Sequence, residues 1–279
     1  MSTEQHAEYR DIEVEIVDPV CTIRLNRPDK LNALSYHMLG ELRRAIDAAS
    51  ADQRVVGIVI TGNGRGFCSG LDSQALVETT AAGSSGRDTS AAAQAETPGM
   101  FTYLLSVPKP VIAAVNGVAA GGGLVLAALC DVRFASTEAS FTTVFLKRGL
   151  IAEHGTSWLL PRMLGPGRAL DLLWSSRRIG ADEALSTGMV EYVVPAADLV
   201  SRAQEYVREL SIAASPAAMA ETKRMVYEHL GLGHVDALRD ADAAQWRALD
   251  SDDSTEGARA LIEKRDPQFP RLGQTGASA

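Results

Sequence analysis

The chain predicts an α/β fold, a mixed core up to about residue 195 followed by a helical C-terminal module. Three observations lead there. Short apolar, β-branched runs alternate with helical patterns through roughly the first two thirds of the 279 residues. After Pro195 only helical patterns remain. Two of the apolar runs each lead into a glycine-dense loop, which is how strands enter ligand-binding turns. The division expected is a core over 1–195 that holds the site and a helical module over 196–279, which is a lid, a dimerisation device or a trimerisation device.

Taken in order, residues 12–17 and 20–25 alternate around Asp18-Pro19 and read as a hairpin. Asn26-Arg27-Pro28-Asp29-Lys30 is a loop with two cations. Ser35 can cap a helix over 36–50. Residues 55–61 are a buried strand, and 62–72 form the first glycine loop. Residues 74–98 are rich in small residues and read as a mobile helix or loop beside the site, or as a solvated surface loop. Residues 110–115 are a strand, and Asn116-Gly117 is a turn. Gly121-Gly122-Gly123 opens residues 124–130, which have no polar face and so predict a buried helix. A short strand over 139–145, a loop over 147–155, helices over 156–164, 168–175 and 181–186, and a turn and strand over 188–194 complete the core. Helices over 196–210, 216–230, 235–249 and 255–264 follow, with a loosely ordered tail. No internal repeat recurs at a fixed period.

Composition narrows the class. Hydrophobic content of 46% and charged content of 22% are ordinary for a globular protein. A net charge of −8 argues against a general nucleic-acid binder but leaves room for a small anion held by local cations. Cys21, Cys68 and Cys130 are scattered, without zinc or disulfide spacing, so a reducing cytoplasm is the expected location. The polar N-terminus lacks the apolar centre of a signal peptide. No apolar stretch approaches the ~20 residues of a membrane span.

The chemistry is expected around the glycines. A buried helix start leaves its first N–H groups without intrahelical partners, and glycines keep them open to an anionic or oxyanionic guest. If the strands before the two loops are neighbours, each loop can offer one N–H to a single oxygen, which makes an oxyanion hole. A dinucleotide reading fails because the first loop, G-N-G-R-G-F-C-S-G, lacks the GxGxxG spacing. No Walker A motif is present either. Ser69 stands close to, but not in, a GxSxG elbow, and Cys68 reads as a small buried residue. Glu153-His154 lies in a loop otherwise poor in charge. Two readings of this pair stand open. It is a carboxylate in an apolar site, able to shuttle a proton, or it is a solvated surface pair. No metal site is expected, since His154 has no second ligand at helical spacing.

Seven phrases in order resemble the enoyl-CoA hydratase/isomerase, or crotonase, superfamily: LNRPDKLNALS, GRGFCSGLD, KPVIAAVNGVAAGGG, CDVRFAS, GLIAEHGTSWLLPRMLG, RIGADEALSTGMVEYVVP and EGARALIEKRDPQFPR. The resemblance covers about residues 12–271. It implies a crotonase-like spiral of ββα units with a C-terminal helical trimerisation module, assembled as a homotrimer or a dimer of trimers. It implies an acyl-CoA thioester substrate, with coenzyme A part of that substrate and no separate cofactor. It places the oxyanion donors at Leu71 and Gly122, with Ser69, Gly70, Asp72 and Gly121 beside them. Asn26, Arg27 and Lys30 match the family's loop beside the coenzyme. Lys264 and Phe269 match residues that reach the nucleotide of a neighbouring site.

The chain departs from the hydratases of that family at their two water-holding glutamates. These positions carry Val125 and Phe145, which accept no proton. GLIAEHG instead matches the single-glutamate phrase of the Δ3,Δ2-enoyl-CoA isomerase branch, with His154 inserted after the glutamate. The resemblance therefore implies isomerisation with Glu153 as the acid/base. Hydration or thioester hydrolysis at an altered water site is the second reading. An acyl-CoA binding protein without catalysis, its acyl pocket lined by Val125 and Phe145, is the third.

Overall fold

The computed structural model describes residues 9–86 and 99–274. Residues 87–98, nearly half of the small-residue segment over 74–98, and 275–279 of the tail, for which mobility or loose order is expected, lie outside the described residues.

Ten strands are laid into two sheets among the described residues. The larger has the order β1-β2-β3-β5-β7-β10: β1 (Ile12–Val17), β2 (Val20–Leu25), β3 (Gly57–Gly62), β5 (Val111–Val115), β7 (Val132–Ser136) and β10 (Tyr192–Val194). The smaller has the order β4-β6-β8-β9: β4 (Gly66–Cys68), β6 (Val118–Ala120), β8 (Ser140–Thr142) and β9 (Ile179–Gly180). The chain crosses from the large sheet to the small one at β3→β4, β5→β6 and β7→β8. Each crossing adds a parallel strand to both sheets and is followed by helix, which is a spiral of ββα turns. The turns begin at Gly57, Val111 and Val132, and this uneven spacing is why no fixed period shows in the sequence. The strand expected over 139–145 is shorter, and the first glycine loop contains β4.

The large sheet is covered on both faces, and its side chains divide by the two-residue period of a strand. Cys21, Ile23, Leu25, Ile58, Ile60, Val111, Ala113 and Val115 face the main core. Val20, Val59, Ile112, Ala114 and Phe134 face Leu199, Ala203 and Val207 of a helix over Leu199–Ala213. On the core side, α1 (Tyr36–Ala51) buries Met38, Leu42, Ala45, Ile46 and Ala49, spaced three and four apart. Ser35 caps it by accepting the Met38 N–H at 3.0 Å. The remaining helices are α2 (Ser73–Ala82), α3 (Gly122–Leu129), α4 (Thr156–Leu164), α5 (Pro166–Ser175) and α6 (Ala181–Thr187). After α7, the helix on the outer sheet face, come α8 (Pro216–His229), α9 (His234–Leu249) and α10 (Asp252–Glu263).

Buried polar groups fasten these layers. The Asp131 carboxylate accepts from the Val111 N–H at 2.7 Å, from Lys223 Nζ at 2.7 Å and from the Tyr227 hydroxyl at 2.9 Å, tying α8 to the start of β5. Lys109 is 1% exposed, and its Nζ donates to the Ala49 and Asp52 carbonyls at the end of α1, at 2.9 and 2.6 Å. Burial pushes its pKa down to about 8, with Asp52 opposing. An unfolded lysine titrates near ~10.4. Between those values the unfolded chain binds more protons, so Lys109 adds stability as pH rises.

Two measurements follow. The urea midpoint of the wild type should climb relative to that of Lys109→Met between about pH 8 and about pH 10, and parallel midpoints would contradict the burial argument. Gly123→Ala should lose roughly 3 kcal/mol, because its Cβ would lie 2.0 Å from the Cys68 carbonyl oxygen. Gly167→Ala in α5 meets nothing within 4 Å and should be neutral or slightly stabilising in a thermal melt, in which Gly123→Ala unfolds well below the wild type.

Candidate functional site

The candidate site forms where β4 and β6 end side by side in the small sheet. β4 runs into Ser69-Gly70-Leu71-Asp72, and β6 runs into Gly121 and α3. A Cβ on Gly70 would lie 3.3 Å from the Gly122 nitrogen and 2.8 Å from the Ala120 carbonyl oxygen. Only glycine permits that approach, and Gly70 also has φ of +93°. The two loops therefore meet backbone to backbone.

Their N–H groups are set by what the neighbouring groups do. Leu34 pairs with Leu71 as an isolated parallel bridge. The Leu34 N–H donates to Gly70 O at 2.8 Å, and the Asp72 N–H donates to Leu34 O at 2.9 Å. That alternation turns the Leu71 N–H away from Leu34. The Gly121 N–H is used by Thr142 O at 3.0 Å. Gly122 is the first residue of α3, whose opening N–H groups have no intrahelical acceptor and sit at the positive end of the helix dipole. All eight residues of α3 are buried, as its apolar sequence requires.

Apolar side chains line the approach. Val125 lies one turn into α3 and is buried. Phe145 is buried too, with a ring carbon 3.9 Å from where a Cβ of Gly121 would stand. Met100 Sδ and Leu34 Cδ1 come to 3.8 and 2.9 Å of a Cβ placed on Gly122.

Glu153 and His154 occupy the bend before α4. The Glu153 carbonyl accepts the Thr156 N–H at 3.1 Å and the Thr156 hydroxyl at 2.7 Å, which fixes the backbone of the bend. Its carboxylate is about one third exposed, and Oε1 lies 3.7 Å from His154 Nε2. The Cα of His154 stands 3.7 Å from a Cβ placed on Gly99, the residue before Met100. The pair is thus joined to Gly122 through Gly99 and Met100. Burial lowers the His154 pKa, with the Glu153 charge pulling the other way.

The cationic loop is braced rather than free. Arg27 donates to Asp72 Oδ2 at 2.9 Å, and Lys30 Nζ lies 3.4 Å from the same oxygen. Arg27, then the Gln74 N–H, hold the Asp72 carboxyl below its ordinary pKa. Asp72 also caps α2 through that N–H. Asn26 donates to Glu13 and accepts from Asn63, and the Ser69 hydroxyl donates to the Lys30 carbonyl at 3.2 Å. Burial pushes the Cys68 thiol up to about 12, which leaves it protonated and unreactive at neutral pH. Lys264 is exposed at the end of α10, and Phe269 packs on Gly257, so both stand with the C-terminal helices. Phe269 lines a cavity of about 740 Å³ there with Arg259 and Arg271.

Asp11, His37 and Glu41 form a set able to hold a metal, their ligand atoms within 4.8 Å of one another. Both Glu41 oxygens already accept backbone N–H groups, from Arg10 at 2.7 Å and Asp11 at 2.8 Å, and Asp11 accepts from Ser35. The set latches the start of α1.

Two positioning residues escape a reading of motifs. Asn32, fully buried with φ of +54°, accepts the Arg27 N–H at 2.8 Å and donates to the Gly66 and Asn63 carbonyls. Asn116, read as a turn residue, accepts the Gly62 N–H at 3.1 Å and donates to the Gly64 carbonyl at 2.9 Å. Asparagine's tolerance of left-handed backbone was the available signal for Asn32. Met100 had none.

Comparison with known proteins agrees with this geometry. The family described as enoyl-CoA hydratase/isomerase matches residues 15–271. A probable enoyl-CoA hydratase of Rhodobacter capsulatus is 35% identical over 263 residues, spanning 94% of this chain and 98% of that protein. The 1,2-epoxyphenylacetyl-CoA isomerase of Escherichia coli is 34% identical over 252 residues, spanning 90% and 94%. The crystal structure of an enoyl-CoA hydratase from Polaromonas superimposes with a TM-score of 0.82 at 30% identity, covering 92% of this chain and 99% of that one. With its two glycine loops meeting at Gly70 and Gly122 on a ββα spiral, the chain belongs to the enoyl-CoA hydratase/isomerase family.

Proposed function

We propose that the protein is an acyl-CoA isomerase that converts a 3-enoyl-CoA into the conjugated 2-enoyl-CoA. The observation that carries this is the pairing of Val125 and Phe145, buried and apolar beside Gly121 and Gly122, with a carboxylate at Glu153. Neither apolar side chain can hold or deprotonate a water. Asp72, a carboxylate that does lie at the loops, is engaged by Arg27, Lys30 and the start of α2.

In the proposed reaction the thioester oxygen accepts from the Leu71 and Gly122 N–H groups. The Glu153 carboxylate takes a proton from C2, and the electron pair spreads onto the thioester oxygen and across C3–C4. The same carboxyl returns the proton to C4, which leaves the double bond between C2 and C3. The two N–H groups act where charge develops, in surroundings with little competing water. No cofactor enters this scheme, and coenzyme A travels with the substrate. In this reading Arg27 and Lys30 would meet its phosphates, with Asp72 yielding part of its hold on them.

Hydration is the second reading, favoured by the name of the Rhodobacter relative. It would need a water held by Glu153 from a different side. For the assembly we infer a homotrimer or a dimer of trimers, supported by the apolar side chains that α8–α10 present to solvent, among them Val226, Val235, Leu238 and Trp246.

Purified protein given a 3-enoyl-CoA should produce the conjugated thioester, followed by its absorbance and by product NMR. Glu153→Gln should lower kcat by about 10²–10⁴. No turnover by the wild type, or full turnover by the variant, would sink the proposal. Rapid loss of crotonyl-CoA absorbance would favour hydration, and tight acyl-CoA binding without product across a substrate panel would favour a binding protein. Sedimentation should give a mass of three or six chains of 29.7 kDa, and a monomer would refute the assembly.

A further inference from the structure

The bend that carries Glu153 holds a second polar side chain that the isomerisation above leaves without a task. The His154 imidazole is 25% exposed, less than the Glu153 carboxylate at 34%, and its Nε2 faces Glu153 Oε1 across 3.7 Å. The backbone keeps it there. His154 and Gly155 have φ of +54° and +86°, two consecutive left-handed residues that turn the chain into α4. The Cα of His154 rests against Gly99, beyond which Met100 reaches Gly122. The packed segment 99–106 adds Tyr103 and no charged side chain, and the single cation of α4, Arg162, is stacked over the Trp158 ring at 4.3 Å. Among the described residues Glu153 is therefore the charge that His154 meets, and burial favours the neutral imidazole.

We propose that His154 is the positioning residue of the Glu153 acid/base: its Nε2–H holds Oε1, so that Oε2 alone carries the proton from C2 to C4. This deepens the isomerase reading and rests on it. The chemistry suits a neutral ring. When Glu153 is ionised, Oε1 accepts from the imidazole N–H. When the carboxyl carries the substrate proton on Oε2, Oε1 is the carbonyl oxygen and still accepts. One hydrogen bond thus persists through the cycle and nothing has to rotate. An imidazolium would stabilise the carboxylate and weaken it as a base. The 3.7 Å separation closes to a hydrogen bond when substrate fills the site, as catalytic contacts commonly tighten on binding.

In this proposal, holding Oε1 keeps Oε2 turned toward the acyl chain, so the carried proton returns to C4 before it meets water. The test is turnover of unlabelled 3-enoyl-CoA in D₂O, with deuterium at C4 of the product read by mass spectrometry. The wild type should transfer mostly the substrate's own hydrogen. His154→Ala should incorporate several-fold more deuterium, with kcat down about tenfold and KM little changed, roughly the scale expected when a reacting group is slightly misplaced. His154→Gln, whose side-chain amide can donate to the same oxygen, should restore both. The isotope ratio does not depend on how much variant is folded. Equal incorporation by the wild type and the alanine variant would overturn the proposal. A second readout stands apart from turnover. The NMR titration midpoint of His154 should fall in Glu153→Gln, because the charge that raises it is gone, and an unmoved midpoint would overturn the pairing. Absence of isomerisation by the wild type would remove the isomerase reading, and with it the proton-carrying role, whatever the titration gives.

Discussion

The close approach of two backbones is the constraint on which the site depends. The Cys68 carbonyl oxygen stands 2.0 Å from where a Cβ of Gly123 would lie, and the Gly122 nitrogen stands 3.3 Å from where a Cβ of Gly70 would lie. Any side chain at those positions would push α3 off the end of β4. With glycine there, the helix start and the Gly70–Leu71 peptide share one small space. The rest of the spiral serves that contact. β4 and β6 are neighbours because each ββα turn adds one strand to the small sheet. Asn116 and Asn32 tie the strand ends together.

What surrounds the contact decides which chemistry is within reach. Val125 and Phe145 make the floor apolar, which strengthens any hydrogen bond offered to a developing negative charge and removes the groups that would hold a water. Glu153 stands on a bend fixed by Thr156 and by two left-handed residues. A family whose name joins hydration and isomerisation can share one electrostatic device and differ in where the proton carrier is mounted.

The sequence went far in some regions and stopped in others, for identifiable reasons. The hairpin, α1 with its Ser35 cap and the buried α3 were legible, because alternation, helical spacing and a run without polar residues are local properties. β4 was hidden inside a glycine loop, because three residues are too few to show a period. Met100 stands two residues after the small-residue stretch, where nothing local distinguishes a residue at the site from one in solvent. Asp72 looked like part of the site, whereas its carboxylate is occupied by Arg27 and the start of α2, a long-range partnership that no spacing announces.

By itself, the sequence determined the alternation of strands and helices, the places where glycine must stand, and the lack of a carboxylate at positions 125 and 145. These follow from the identity of single residues and their near neighbours. Only the tertiary structure decided that the two glycine loops share one edge, that Gly99 and Met100 link the Glu153–His154 bend to Gly122, and that His154 is more buried than the acid beside it. Those facts come from contacts between segments far apart in the chain. Such contacts arise when the sheets stack and the core excludes water, and no window of sequence contains both partners.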